Sequence, residues 1–316
     1  MLSKITLLII ASLLYIDQIQ ADTRLRIAGS KTLYYFMTFA AEDYAKMKHQ
    51  ISPIVEATGS GSGINLFCRG KIDIAASSRR ISAEEKKFCY REGIKEIREI
   101  VLGYDAIVFA TSKESALNGT SINALYKAIA AKLPFKNKIL ENFYNRWDQI
   151  DASLPHQNIE IYGPSLNSGT KQILMEYFAR EYCMPNKVFH VKFPDQKERL
   201  KNCLASRQDK KYIEIGENQN LLMQKILQNK NAIAILNYSH LITHQKDVKI
   251  LPINNILPSA EAILEKTYPL SKTLYLYYSE EGLQERNALK DFIDYLKYSD
   301  LLGAKGFLSS KGLIDK

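Results

Sequence analysis

Four times in this chain an apolar run gives way to a small, hydroxyl-bearing loop that opens a helical pattern, and this alternation constrains the fold more than any other feature. Leu25–Ala28 ends at Gly29-Ser30-Lys31-Thr32, after which Phe36, Phe39, Ala40, Tyr44 and Met47 share one helical face. Ile51–Val55 leads to Gly59-Ser60-Gly61-Ser62-Gly63 and a short helix bearing Phe67 and Cys68. Ile72–Ala76 ends at Ser77-Ser78-Arg79-Arg80, and Ser82 with Glu85 forms a capping box for the next helix, which Gly93 closes. In the second half, Ile159–Tyr162 precedes Asn167-Ser168-Gly169-Thr170, which opens a helix running through Phe178 towards Cys183. Further strands are expected at Ile97–Leu102, Ile233–Leu236 and Leu274–Tyr278, and a helix at Gln284–Tyr298. Strand, loop and helix in repeated order predict parallel α/β layers. In open α/β sheets ligands bind where strands give way to helices, which is where these loops fall.

The loops share one chemistry: Ser30/Thr32, Ser60/Ser62, Ser77/Ser78 and Ser168/Thr170 all sit at expected helix N-termini. Such a terminus presents free backbone N–H groups and the positive end of the helix dipole, glycine lets the backbone approach a ligand, and Ser or Thr adds hydroxyl donors. Together these make an anion cradle that needs few full charges. For a single loop, N-capping is the simpler reading; four in one α/β chain point to a convergent oxyanion site.

Other chemistries fail on spacing. A Gly-x-x-x-x-Gly-Lys-[Ser/Thr] loop is absent, and Gly59–Gly63 matches neither Gly-x-Ser-x-Gly nor Gly-x-Gly-x-x-Gly. His240 and His244 could share a helix face, but Leu-Ile-Thr between them lacks the glutamate of a zinc hydrolase, so they read as surface or structural histidines. No cofactor or catalytic residue is expected.

The net charge of +9 is spread along all 316 residues without a dense basic block, which fits an anionic ligand better than nucleic acid. Lys4 followed by the apolar run Ile5–Ile16, with Ala21 as the last residue before cleavage, reads as a signal peptide, too short to span a membrane; a buried N-terminal helix is the alternative. The four cysteines fall as local pairs, Cys68/Cys89 and Cys183/Cys203, which an oxidising compartment would join; four buried thiols are the alternative.

The loops, in order, resemble the phosphate-binding protein of the Pst-type phosphate ABC transporter. The matching segments are Ile27-Ala-Gly-Ser-Lys-Thr32, Gly59-Ser-Gly-Ser-Gly63, Asp73-Ile-Ala-Ala-Ser-Ser-Arg79, Gly103-Tyr-Asp-Ala-Ile-Val108, Tyr162-Gly-Pro-Ser-Leu-Asn-Ser-Gly-Thr170 and Tyr212-Ile-Glu-Ile-Gly-Glu-Asn218. The resemblance implies a two-lobe periplasmic binding protein fold of type II, each lobe a mainly parallel sheet flanked by helices. It divides the chain into a signal peptide (1–21), a first lobe (22–106), a second lobe (107–255) and a return segment of the first (256–316). It implies a monomeric, periplasmic, non-enzymatic receptor that binds inorganic phosphate and delivers it to a membrane permease. A receptor for sulfate, molybdate or phosphonate, an exported phosphoester hydrolase, and an adhesion or sensor protein on the same fold stay open.

Carried over residue by residue, Thr32 and Leu33 give a hydroxyl and a backbone N–H. Ser62 gives the hydroxyl of the second loop, with Ser60 taking that role under a small shift of alignment. Ser168, Gly169 and Thr170 form the second-lobe loop. This chain departs from the family pattern twice: Ser78 stands where well-studied members carry a proton-accepting Asp, and Pro164 stands where they carry an Arg. Arg79 is then the candidate for the missing cation, against the alternative of an arginine paired with a carboxylate.

Overall fold

The computed structural model describes residues 24–48, 52–165, 168–216, 218–242, 246, 248–298, 300–303 and 306–315. The expected signal peptide, His49, His244 and Asn167 lie outside them.

The strands in chain order are β1 (Arg26–Gly29), β2 (Ile54–Glu56), β3 (Ile74–Ser77), β4 (Ile97–Ser112), β5 (Lys132–Phe135), β6 (Lys138–Glu141), β7 (Ile161–Gly163), β8 (Tyr212–Glu214), β9 (Ile233–Asn237), β10 (Val248–Ile250) and β11 (Ser271–Ser279). All but the β5–β6 hairpin join one path, ordered β2-β1-β3-β11-β4-β9-β7-β8, with β10 added on β4. The trio β2-β1-β3 is parallel, and so is β9-β7-β8. Between the trios, β11 and β4 run antiparallel to their neighbours. The expected parallel layers therefore hold for each trio, while the central pair is antiparallel.

The two central strands connect the halves. β4 is far longer than the strand expected at Ile97–Leu102, because it serves two sheets in turn. Residues Ile97–Ala106 pair with β11, and Ile107–Thr111 then pair with β9. β11 returns the chain from the second half to the first.

Two main cores flank this crossing. On the first side, Leu33, Phe36, Met37, Ala40 and Tyr44 line the buried face of helix α1 (Lys31–Lys48). They pack with Phe292, Ile293 and Leu296 of the helix Asn287–Tyr298, and the rings of Tyr44 and Phe292 meet edge-on at 5.1 Å. Burial of each large side chain contributes about 1.5–3 kcal/mol relative to exposure. The second core is drawn chiefly from residues between Ala106 and Leu270, including Ile263 and Tyr268, and Ile314 near the C-terminal end joins it. The C-terminal helix expected at Gln284–Tyr298 is two helices, Glu280–Glu285 and Asn287–Tyr298, interrupted by the extended backbone of Arg286.

Both local cysteine pairs are disulfides, Cys68–Cys89 and Cys183–Cys203. Among the described residues no helix is long and apolar enough to cross a membrane.

Candidate oxyanion cleft

Three loops of the first lobe are tied together by backbone and hydroxyl contacts. Gly29, with φ +146°, ends β1, and a Cβ there would lie 1.9 Å from the carbonyl oxygen of Ala76 at the end of β3. Only glycine allows β1 and β3 to end so close together. Ser30 N–H donates to the same carbonyl at 2.8 Å, and Gly59 N–H donates to Gly29 O at 2.7 Å. Helix α2 (Ser60–Cys68) presses its first turn against β1, where a Cβ on Gly63 would meet Ala28 O and Gly29 Cα at 2.6 Å each. The loop hydroxyls then interlock: Ser60 Oγ accepts from Ser78 N–H at 3.1 Å, and the hydroxyls of Ser30 and Ser78 share a hydrogen bond at 2.5 Å.

This division of labour bears on the second loop. Ser60 is buried and supports Ser78, whereas Ser62, two residues into α2, is exposed. Thr32 and Leu33 lie in the first turn of α1, both buried. The buried Ser78 therefore combines a scaffold contact through its N–H with a buried hydroxyl contact shared with Ser30.

Arg79 stands apart from this scheme. Its Nη2 and Nη1 donate to the two carboxylate oxygens of Glu85 at 2.7 and 2.8 Å. Glu85 sits in helix α3 (Ala83–Arg91) and also closes the capping box with Ser82, as expected from the sequence. The hydrogen bond to Glu85, more than the opposing desolvation, raises the Arg79 pKa further. Burial alone would raise Glu85; the hydrogen bonds from Arg79 and Ser82 outweigh it and hold the carboxyl below its usual range. The arginine's charge is thus matched by a carboxylate, although its Nη2 lies close to Gly61 of the second loop. Arg80 pairs with Glu99.

In the second lobe, Ser168 N-caps helix α4 (Gly169–Phe178), its Oγ accepting from Lys171 N–H at 3.0 Å. A hydroxyl that accepts there still has its own proton to donate. Lys171 is buried behind this turn; its Nζ donates to Glu214 at 2.9 Å and lies 3.9 Å from the ring centre of Tyr212. Burial lowers the Lys171 pKa despite the opposing Glu214. Pro164, which cannot offer the family's arginine, receives the Tyr212 hydroxyl on its carbonyl at 2.8 Å.

The halves face each other across a cavity of about 110 Å³ lined by Lys31, Thr32, Tyr35, Thr170, Gln219, Asn237, Ser239 and His240. Thr32 and Thr170, both singled out from sequence, meet on it from opposite lobes. Leu33, Ser60, Ser62, Ser78, Arg79, Ser168 and Gly169 are not among its walls. His240 is one of them, where sequence spacing pointed only to a surface or structural role.

Sequence reasoning missed the groups buried behind two of these walls, Thr32 and Asn237. Lys272 on β11 faces Asp105 on β4 across the strand register, and their side chains form a buried ion pair at 3.1 Å. Lys272 Nζ also donates to Asn237 Oδ1 at 2.8 Å and to Thr32 Oγ1 at 3.1 Å. A signal existed in the sequence: Asp105 and Lys272 are charges set within strands otherwise rich in apolar residues.

Two α/β lobes carried on two shared strands, with a polar cavity between helix N-termini, define the class of two-lobed solute-binding receptors. The PBP superfamily domain matches residues 17–299, and the chain belongs to that family. It is similar to Protein SphX of Synechococcus elongatus, 26% identical over 292 residues, covering 90% of this chain and 77% of that one. The phosphate-binding protein PstS of Staphylococcus aureus is 22% identical over 277 residues, covering 85% and 72%. Among solved structures, an ABC-type phosphate transport receptor from Vibrio cholerae superposes with a TM-score of 0.67 at 19% identity, covering 93% of this chain and all of that one. PstS from Borrelia burgdorferi superposes with a TM-score of 0.58 at 20% identity, covering 92% and 98%.

Proposed function

We propose that this chain is the phosphate receptor of an ABC importer: an exported, monomeric protein that holds one inorganic phosphate between its lobes and passes it to a membrane permease, with no chemistry on the ligand. The observation that carries the proposal is the meeting of Thr32 and Thr170, each in the first turn of a helix from a different lobe, on one cavity. Closing the lobes on an anion would bring both helix N-termini and their hydroxyls to bear on it. Curated relatives named as phosphate-binding proteins, and solved neighbours named as phosphate receptors, support the same ligand.

Within this proposal Thr32 and Thr170 contact the phosphate from the cavity walls, closure of the lobes brings Leu33, Ser62, Ser78, Ser168 and Gly169 to it, and Ser60 supports Ser78 from behind. Ser78, in the place of the family's aspartate, can both donate and accept, so its oxygen can accept a hydrogen bond from the O–H of a protonated phosphate, a donor that sulfate lacks. The net charge of +9 raises the local concentration of an anionic ligand.

Thermal unfolding of the chain from residue 22 in phosphate, sulfate and molybdate tests the ligand. A ligand at 100 times its Kd adds about 2.7 kcal/mol to the folded state. Phosphate is expected to raise Tm well above the other two; a shift with sulfate or molybdate alone would assign the receptor to that anion, and no shift with any oxyanion would remove the proposal.

A further inference from the structure

The proposed phosphate contacts leave without a role Asn237, which lines the cavity, and Lys272 and Asp105, which are buried behind it. Lys272 and Asp105 are almost wholly buried, with side chains 3% and 0% exposed. Resting on the phosphate reading, we propose that Lys272 and Asn237 are positioning residues that lock the hydroxyl of Thr32 as a donor aimed into the cavity.

The assignment follows from the donor and acceptor capacities of each group. An ammonium has three donors and no acceptor. Lys272 Nζ at 2.8 Å must therefore face the carbonyl oxygen of the Asn237 amide, which turns the amide's NH₂ the other way. That NH₂ lies 3.3 Å from Thr32 Oγ1 and donates to it. Lys272 donates to the same oxygen at 3.1 Å. Both lone pairs of the Thr32 hydroxyl are then taken, and its one proton has no acceptor among these neighbours. Thr32 lines the cavity, so the proton is directed at whatever occupies it.

Asp105 holds the arrangement in place. Its Oδ2 neutralises the buried ammonium, and its Oδ1 accepts from Ser239 N–H at 3.0 Å. The four residues come from α1, the two crossing strands and the end of β9, so the network joins both lobes at the point where the chain crosses. A hydroxyl fixed as a donor needs no reorientation when an anion arrives, and it opposes a ligand that presents a hydrogen at that point. The chemistry selected there is an unprotonated oxyanion oxygen.

The test is a double-mutant cycle read by phosphate titration. Lys272→Met combined with Asp105→Asn removes the ammonium without leaving a bare buried carboxylate, and Thr32→Val removes the hydroxyl it acts through. The Lys272→Met/Asp105→Asn pair is expected to lower phosphate affinity at least about tenfold in the native background, as for loss of one charged hydrogen bond. In the Thr32→Val background the same pair should lower it less than about threefold, because its target is gone. Asn237→Leu, which keeps the ion pair, should show the same dependence on Thr32 and serves as the test if the first pair does not fold. Equal losses in both backgrounds, or no loss in either, would overturn the positioning role while leaving the phosphate reading intact. A native chain that binds no phosphate would overturn both.

Discussion

Arg79 holds Glu85 through both terminal guanidinium nitrogens, and Glu85 at the same time caps the helix that begins at Ala83. The pair therefore fixes the entry to α3 directly behind the Ser77–Ser78 loop. Both side chains are about a quarter exposed, so solvent screening limits the ion pair's contribution to about 1 kcal/mol. Arg79→Ala is expected to lower Tm by about 2–4 °C and to change phosphate affinity less than about threefold. A loss of tenfold or more with an unchanged Tm would return Arg79 to the ligand as its cation.

The same pair sets a pH dependence. The Glu85 carboxyl is depressed in the folded chain, so its contribution is fully present above its unfolded pKa of about 4.3 and disappears as pH falls through the lower folded value. The Tm difference between the native chain and Glu85→Gln should be constant near neutrality and shrink below about pH 4. A difference that grows on acidification would have the wrong sign for this pair.

Ser60 and Ser62 should separate by phenotype. Ser62 is exposed at the start of α2, and a bond from its hydroxyl to a charged ligand is worth about 1.5–3 kcal/mol, or about 10- to 150-fold in affinity. Ser62→Ala should therefore weaken phosphate binding with no change in Tm. Ser60→Ala leaves the buried N–H of Ser78 without its acceptor, and should lower Tm as well as affinity. Titration and melting of both variants check this; loss of affinity for Ser60→Ala alone would give Ser60 the contact with the ligand.

The loops were legible because their chemistry is local. Glycine at a strand end followed by hydroxyls at a helix start announces a close backbone approach, and Gly29 and Gly63 turn out to need it for contact with Ala76 and Ala28. The capping box of Ser82 and Glu85 was readable for the same reason. The second task of Glu85, holding Arg79, was not, since nothing in the spacing shows which way an arginine turns. The network behind the cavity was hidden by distance along the chain: Lys272 reaches Thr32 across 240 positions and Asn237 across 35. The length of β4 was hidden too, because the apolar pattern of Ile97–Leu102 does not reveal that the strand continues into a second sheet.

The disulfide Cys68–Cys89 joins the end of α2 to α3, the two helices that follow the second and third loops. Closing a loop of 21 residues removes about 3 kcal/mol of chain entropy from the unfolded state. Cys68→Ala with Cys89→Ala should lower the free energy of unfolding by about that amount, measured by denaturant titration under oxidising conditions. Peptide mapping without reduction should recover Cys68–Cys89 and Cys183–Cys203; crossed pairs or four free thiols would contradict the structure.

The central claim is that both lobes converge on one phosphate, and isothermal titration of the chain from residue 22 with phosphate measures it most directly. One phosphate per chain is expected, with affinity falling at least about tenfold for Thr32→Val and for Thr170→Val taken singly, since each removes a donor from a different lobe. Phosphate binding that survives both substitutions unchanged, or a chain that takes up no phosphate at all, would contradict it.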